Sequence, residues 1–457
     1  MKEFNFEKLP IVEIANEIII DAVNKGASDI HFDPSKEALK IRFRIDGILS
    51  DYSIVPSKYK RNMISRIKMI AGMNIMETRL PQDGAIKSKI GDRLLDLRVS
   101  TLPTNNAEKI VIRILDYSMS LAGLDNLGFS KDAMEKINKL IRIPNGIILV
   151  TGATGTGKST TLYSILQKLN TEEVNIITVE DPVEMDIAGI NQVQTQTEIG
   201  LTFATILRSI LRQDPNIIMI GEIRDDETAR IAVRASITGH LVLSTLHTNN
   251  SLNTIERLTD MDVERYLLGS SLEGIISQRL ARKLCPNCMI KRQTTEYEKQ
   301  VFKTVIGKDI NEMYVANKEG CPRCNHGYRG RLAILEVLVM NEKIKDAITN
   351  NAPKHVLRDL VYTGEVVTLL QDGLNKVVEG ETSFEEILKI VDLENDMTAY
   401  KDDNLVANLK MAQKAHSIKE TPQQPTPQVT QQVQQTVQLQ PQQINNQIQN
   451  NVETVEF

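Results

Sequence analysis

The sequence predicts an α/β protein of several domains, the largest built on a mainly parallel sheet. Three observations carry this. From residue 146 to about 284, apolar runs of strand length alternate with helical stretches, the pattern of a parallel sheet covered by helices. At its start, IILV (147–150) leads into GATGTGKS (152–159) and then TLYSILQKL, so that a strand, a glycine-rich turn and a helix follow one another. Ahead of it, residues 1–116 show short apolar–polar alternations between helical stretches, which reads as a small separate α/β domain.

Taken in order, Ile11, Ile14, Ile18 and Val23 recur near helical spacing, so residues 1–25 predict an amphipathic helix. DIHFDP (29–34), KIRFRIDG (40–47) and LLDLRVS (94–100) predict strands, with turns at DPSK and DG. Residues 57–76 predict a helix, and IVIRIL (110–115) closes the domain. Residues 117–145 read as a linker plus helix. The nucleotide-binding core is expected over 146–284, a cysteine-bearing insert over 285–335 and a mostly helical region over 336–401. From 402 to 457 the chain is rich in Gln, Asn and Pro and nearly without core-forming residues, which predicts a disordered tail.

Composition excludes some classes. The 457 residues carry a net charge of −5 and no Trp, so there is neither a global basic signature nor an aromatic–basic pattern for nucleic acid. No apolar run approaches the roughly 18 residues of a membrane span. The start, MKEFNFEKLPIVE, lacks the apolar centre of a signal peptide, so a cytoplasmic location is expected.

GATGTGKS meets every fixed position of the phosphate-binding P-loop, GxxxxGK[ST]. Gly152, Gly155 and Gly157 let the backbone curl so that successive N–H groups face phosphate oxygens, and the helix that begins there adds its positive end. Ala153, Thr154, Thr156 and Thr160 complete the expected ATP-binding set. Lys158 is expected to reach the β and γ phosphates, and Ser159 to offer its hydroxyl to Mg²⁺.

Two further runs supply acids. In IITVEDPVE (176–184) an apolar strand ends in Glu180, Asp181 and Glu184. One of them is expected to orient or deprotonate water, because phosphoryl transfer needs a positioned nucleophile more than covalent chemistry. In DPNIIMIGEIRD (214–225) Glu222 leaves a core strand, the Walker-B position near the metal's water shell. The bland alternative is solvated loop charge; the place of both acids directly after apolar strands argues against it. In TGHLVLSTLHTNNS, His240 and His247 bracket a strand. A histidine at a strand exit near a γ-phosphate can sense its charge, although strand-end histidines are as readily structural.

The order GATGTGKS, ITVEDPVE, LRQDPNIIMIGEIRD, TGHLVLSTLHTNN resembles the secretion ATPase superfamily, the hexameric motors of type II secretion and type IV pilus assembly. The resemblance covers roughly residues 8–397. It implies a PAS-like N-terminal domain, a RecA-like ATPase core, Glu180 as the residue that positions the hydrolytic water and Glu222 as the Walker-B acid. ASDIHFDP, IRFRIDGIL, RLPQDGAI and LRVSTLPTNNAEKIVIRIL also match the family's N-terminal domain. A γ-phosphate in transfer accumulates charge that a guanidinium from a neighbouring subunit or domain can stabilise. Arg98 and Arg113, and also Arg79, are the candidates; the alternative is that they pair with acids such as Asp83 or Asp96. Ala107 stands where the family pattern leads us to expect Gly before Glu108.

CPNC (285–288) and CPRC (321–324) offer four thiolates, enough for a closed tetrahedral zinc site of Cys285, Cys288, Cys321 and Cys324. The 32 residues between the pairs must return as a loop, and His326 is a spare ligand candidate. Resemblance agrees, because assembly and secretion motors commonly carry such a module and retraction motors usually lack it. It further implies a homohexamer acting on an inner-membrane platform protein from the cytoplasmic face. The chain starts almost directly at the ASDIH block, the short architecture similar to motors of Gram-positive competence pili. Alternatives within the family are retraction and conjugative secretion motors; outside it, a nucleic-acid translocase or a non-hydrolysing scaffold.

Overall fold

The computed structural model describes residues 1–90, 93–116, 123–362 and 365–391. The tail expected over 402–457 lies outside the described residues, as does the end of the helical region after 391.

The N-terminal domain sets two helices against one face of a six-stranded sheet. Helix α1 is Ile11–Asn24, followed by β1 (Ala27–Pro34), β2 (Ala38–Ile45), β3 (Ile48–Pro56), helix α2 (Ser57–Ile70), β4 (Gln82–Ile90), β5 (Arg93–Thr104) and β6 (Ala107–Asp116). The spatial order is β3-β2-β1-β6-β5-β4, antiparallel throughout. Alternation explains the layering. Ile30 and Phe32 of β1, Ile41 and Phe43 of β2 and Leu97 and Val99 of β5 join Ile14, Ile18, Met63 and Ile67 of the helices in one apolar cluster. Asp29, His31 and Asp33 alternate with those residues on β1 and so face the other way.

Helix α2 ends at Ile70, earlier than the 57–76 expected, because Gly72 takes a left-handed φ of 72° that stops it. Ala107 needs no glycine. It is paired with Thr104 across the two-residue turn Asn105–Asn106, and Glu108 beside it turns inward to Lys68 at 2.7 Å.

The second domain follows the helix Lys131–Leu140. Its seven-stranded sheet has the order β15-β12-β7-β11-β10-β8-β9. The strands are β7 (Gly146–Thr151), β8 (Ile176–Glu180), β9 (Asn191–Gln194), β10 (Ile217–Ile220), β11 (Leu241–Leu246), β12 (Leu272–Leu284) and β15 (Tyr328–Val339). All neighbours run parallel except β12 and β15. Strands β7, β8, β10 and β11 are buried along their whole length, which explains their unbroken apolar runs. Between β12 and β15 the chain leaves the sheet to form the small pair β13 (Ile290–Gln293) and β14 (Glu312–Val315) around helix Glu296–Ile306. Strand β15 therefore crosses the boundary expected at residue 335, so the cysteine insert is the tip of a long hairpin whose arms belong to the main sheet.

Candidate nucleotide site and tetracysteine centre

Register places the carboxyl ends of the parallel strands side by side. Thr151 of β7 pairs with Leu246 of β11, Ser244 of β11 with Ile220 of β10, and Ile220 with Val179 of β8. Ligands of open α/β sheets bind at such an edge.

The P-loop leaves β7 here and enters helix Lys158–Leu169, with Gly157 in the left-handed region as its N-cap. Ala153, Thr154, Gly155 and Ser159 are exposed, and Thr156 and Thr160 are half-buried. Lys158 is buried and donates to the carbonyls of Gly152 (2.9 Å) and Ala153 (3.1 Å). Burial lowers its pKa, with the charge of Glu222 opposing. An ammonium held on two carbonyls at the loop mouth can exchange them for phosphate oxygens, so these residues fit a nucleoside triphosphate.

Glu222 lies past the end of β10. It accepts from the Arg224 guanidinium and meets His247 Nε2, at the exit of β11, at 3.1 Å. Burial pushes its carboxyl up, but Arg224 and His247 outweigh this and hold it below the usual range, so Glu222 is ionised at neutral pH. His240 sits at the opposite end of β11, where Nδ1 meets the Ala235 carbonyl at 2.8 Å.

Glu180, the last residue of β8, is buried and heavily bonded. Its Oε1 accepts from Thr178 Oγ1 (2.6 Å) and Gln192 Nε2 (3.1 Å), and its Oε2 from the Tyr163 hydroxyl. Glu184 differs. Its ion-pair partner is Arg98, whose Nη2 lies 2.7 Å from Oε2, and burial raises its pKa against the pull of Arg98 and, more weakly, Arg113.

Arg98 thus reaches from β5 of the N-terminal domain to the acidic loop after β8, and also donates to the Val183 carbonyl at 3.5 Å. Arg113 stands opposite Arg98 on β6, but its Nε pairs with Asp29 Oδ1 at 3.3 Å. Arg44 shares that carboxylate from the other side at 3.5 Å. Arg79 is bonded to Glu77 and largely exposed, apart from this cluster.

The four cysteine sulfurs lie within 4.8 Å of one another, with Cys285–Cys321 at 3.8 Å and Cys288–Cys324 at 3.6 Å. A tetrahedron with Zn–S bonds of about 2.3 Å has edges of about 3.8 Å, so the set fits zinc. The loop between the pairs returns through β13, the helix and β14, as the spacing required. Burial pushes the Cys324 thiol up, yet the backbone N–H groups of Cys321 and Gly327, with the thiols of Cys288 and Cys321, outweigh it and bring it to about 7. Such amides favour the thiolate a metal needs. His326 turns instead to the Lys318 carbonyl, 3.1 Å away, and is outside the group.

The family described as "Type II/IV secretion system protein" matches residues 5–389. The chain belongs to this type II/IV secretion system protein family. It is 44% identical over 382 residues to the type II secretion system ATPase E of Vibrio cholerae, covering 83% of this chain and 75% of that protein. It is 45% identical over 381 residues to the type IV pilus assembly ATPase PilB of Myxococcus xanthus, covering 83% and 67%. Among solved structures it resembles the pilus retraction motor PilT with bound ADP at 26% identity and a TM-score of 0.56, covering 87% of this chain and 98% of that one.

For this member of the family, sequence reasoning did not find Tyr163, Gln192, Arg44 or Gln278. Tyr163 falls on the buried side of an amphipathic helix, where an aromatic reads as core. Gln278 had a usable signal. It stands with Ser277 inside the apolar run of β12, and a polar pair in a buried strand must bond to something.

Proposed function

We propose that the protein is the ATP-hydrolysing motor of a machine that exports protein or assembles pilus-like fibres. The observation that carries this is the convergence of Lys158, Glu184, Glu222 and His247 on one sheet edge, with Arg98 of the other domain on Glu184. ATP with Mg²⁺, when bound, supplies the phosphoanhydride bond and most of the neutralising charge. Residues 152–160 would hold the phosphates, and Ser159, exposed at the start of its helix, would hold the metal. Glu222 is ionised and tied to His247, which suits it to orient the metal's water and His247 to register the charge opposite it.

Glu180 has three of its roughly four acceptor sites filled, which leaves little for an attacking water. We therefore assign it to holding Tyr163 and Gln192 in place. Glu184, whose carboxyl pKa is raised by burial and which accepts from no neutral donor among the described residues, takes the role of base. Arg98 and Arg113 would answer charge on the γ-phosphate once the domains, or two subunits, close. Zinc on the four cysteines has a structural role, because no open coordination position remains.

The working form is a homohexamer on the cytoplasmic face of the membrane, driving an inner-membrane platform protein; nucleic acid is not a partner. The cysteine module favours export or assembly over retraction. Among the described residues no helix is long and apolar enough to cross a membrane. Glu222→Gln should lower ATPase turnover at least about a hundredfold while ATP binding persists. Undiminished turnover in that variant would sink the assignment.

A further inference from the structure

We infer that Gln278 is a positioning residue for the nucleotide. Its buried carboxamide turns the Thr156–Gly157 peptide so that the Gly157 N–H faces into the loop. This rests on ATP being the ligand of the P-loop.

Gln278 is 3% exposed and sits on β12, the strand beside β7. Its Nε2 donates to the Thr156 carbonyl at 2.8 Å, and its Oε1 accepts from the Thr161 hydroxyl at 2.7 Å. A carbonyl only accepts, so the nitrogen must face Thr156, and the orientation of the amide follows from chemistry. The peptide is planar and trans, so the C=O of Thr156 and the N–H of Gly157 point to opposite sides. With the carbonyl drawn to β12, the N–H is turned away from the strand, toward the mouth of the loop. Ser277 Oγ, 3.0 Å from Thr151 Oγ1, fixes the same strand to the end of β7.

The glycines confirm how closely β12 approaches. A Cβ on Gly157 would lie 2.8 Å from Gln278 Nε2, and one on Gly152 would lie 2.4 Å from the Gln278 carbonyl oxygen. Both also hold φ values of left-handed character, 88° and 148°. The first and last fixed glycines of the loop therefore make room for Gln278 as well as for phosphate. Nothing about GATGTGKS alone reveals that the loop has this outside support.

Removing the carboxamide leaves the half-buried Thr156 carbonyl without its donor and the peptide free to turn. The test is the binding of a fluorescent ATP analogue to the full chain, with steady-state kinetics alongside. Gln278→Ala should weaken binding about tenfold and raise KM to match, with kcat changed less than about threefold. Gln278→Glu, which when ionised cannot donate to a carbonyl, should be weakened at least as much at alkaline pH. Thr161→Val should weaken binding less, and its effect should not add to that of Gln278→Ala. A Kd for Gln278→Ala within twofold of the unaltered chain, or a fall confined to kcat, overturns the inference. If Gln278→Ala does not fold, an unchanged Kd in Thr161→Val overturns it instead. Failure of the unaltered chain to bind the analogue overturns the ATP reading, and this inference with it.

Discussion

Two glutamates four residues apart, Glu180 and Glu184, stand in opposite circumstances. Glu180 ends the apolar strand β8 and Glu184 lies just past it, and in the sequence only the family resemblance ranks them, in favour of Glu180. What separates them is distant in the chain: Tyr163 and Gln192 close around Glu180, and Arg98 arrives at Glu184 from another domain. The pKa of Glu184 is raised by burial and held back by Arg98. As a base it must be ionised, so activity should fall on acidification at a higher pH than an ordinary glutamate would give. Arg98→Ala removes the cation that favours the carboxylate, which raises the pKa further. The acid limb of kcat/KM against pH should then move to higher pH, and an unmoved limb would exclude Glu184 as its source. The P-loop, Glu222 and the four cysteines were legible because each is a local motif. The partners that tune them were not, because they come from remote strands.

Among the elements, the strongly alternating or fully apolar ones were legible: α1, β1, β2, β5 and the buried strands β7, β8, β10 and β11. Strands β3 and β4 were not. Along β3, Tyr52, Ser53 and Val55 are buried, and a register shift opposite Ile41–Arg42 breaks the period of two. Strand β4 lies at the sheet edge and has no fully buried residue, so its pattern is faint. Helix α2 carries one feature that hydropathy would count against it. Lys68 faces inward, 1% exposed at the side chain, and bonds to Glu108 at 2.7 Å and to the Glu77 carbonyl at 2.6 Å. Lys68→Met would leave Glu108 buried and unpaired, a loss of about 3–5 kcal/mol. Urea unfolding should show that loss, and Lys68→Met combined with Glu108→Leu should recover most of it.

At the scale of the molecule, the main sheet and the cysteine hairpin form one continuous structure, since β12 runs from beside the P-loop to Leu284 and Cys285 follows directly. The purified protein should hold about one zinc per chain. Stripping it with a chelator should raise amide hydrogen exchange in residues 285–335 and leave that of α1 and β1 unchanged. Equal exchange with and without chelator would remove the structural role of the metal.

The N-terminal domain has its own apolar cluster, which among the described residues includes none from the second domain. The two domains meet through polar bonds: Arg98 with Glu184, and the Asp46 carboxylate with the Gly330 N–H at 3.0 Å on the cysteine hairpin. Each domain is therefore a stiff block, and the joint between them is soft. Among the described residues, swinging one block on the other opens no shared apolar cluster and breaks polar bonds that water can replace. Such a joint can be opened and remade many times at little energetic cost, so the energy of a cycle is left for the load.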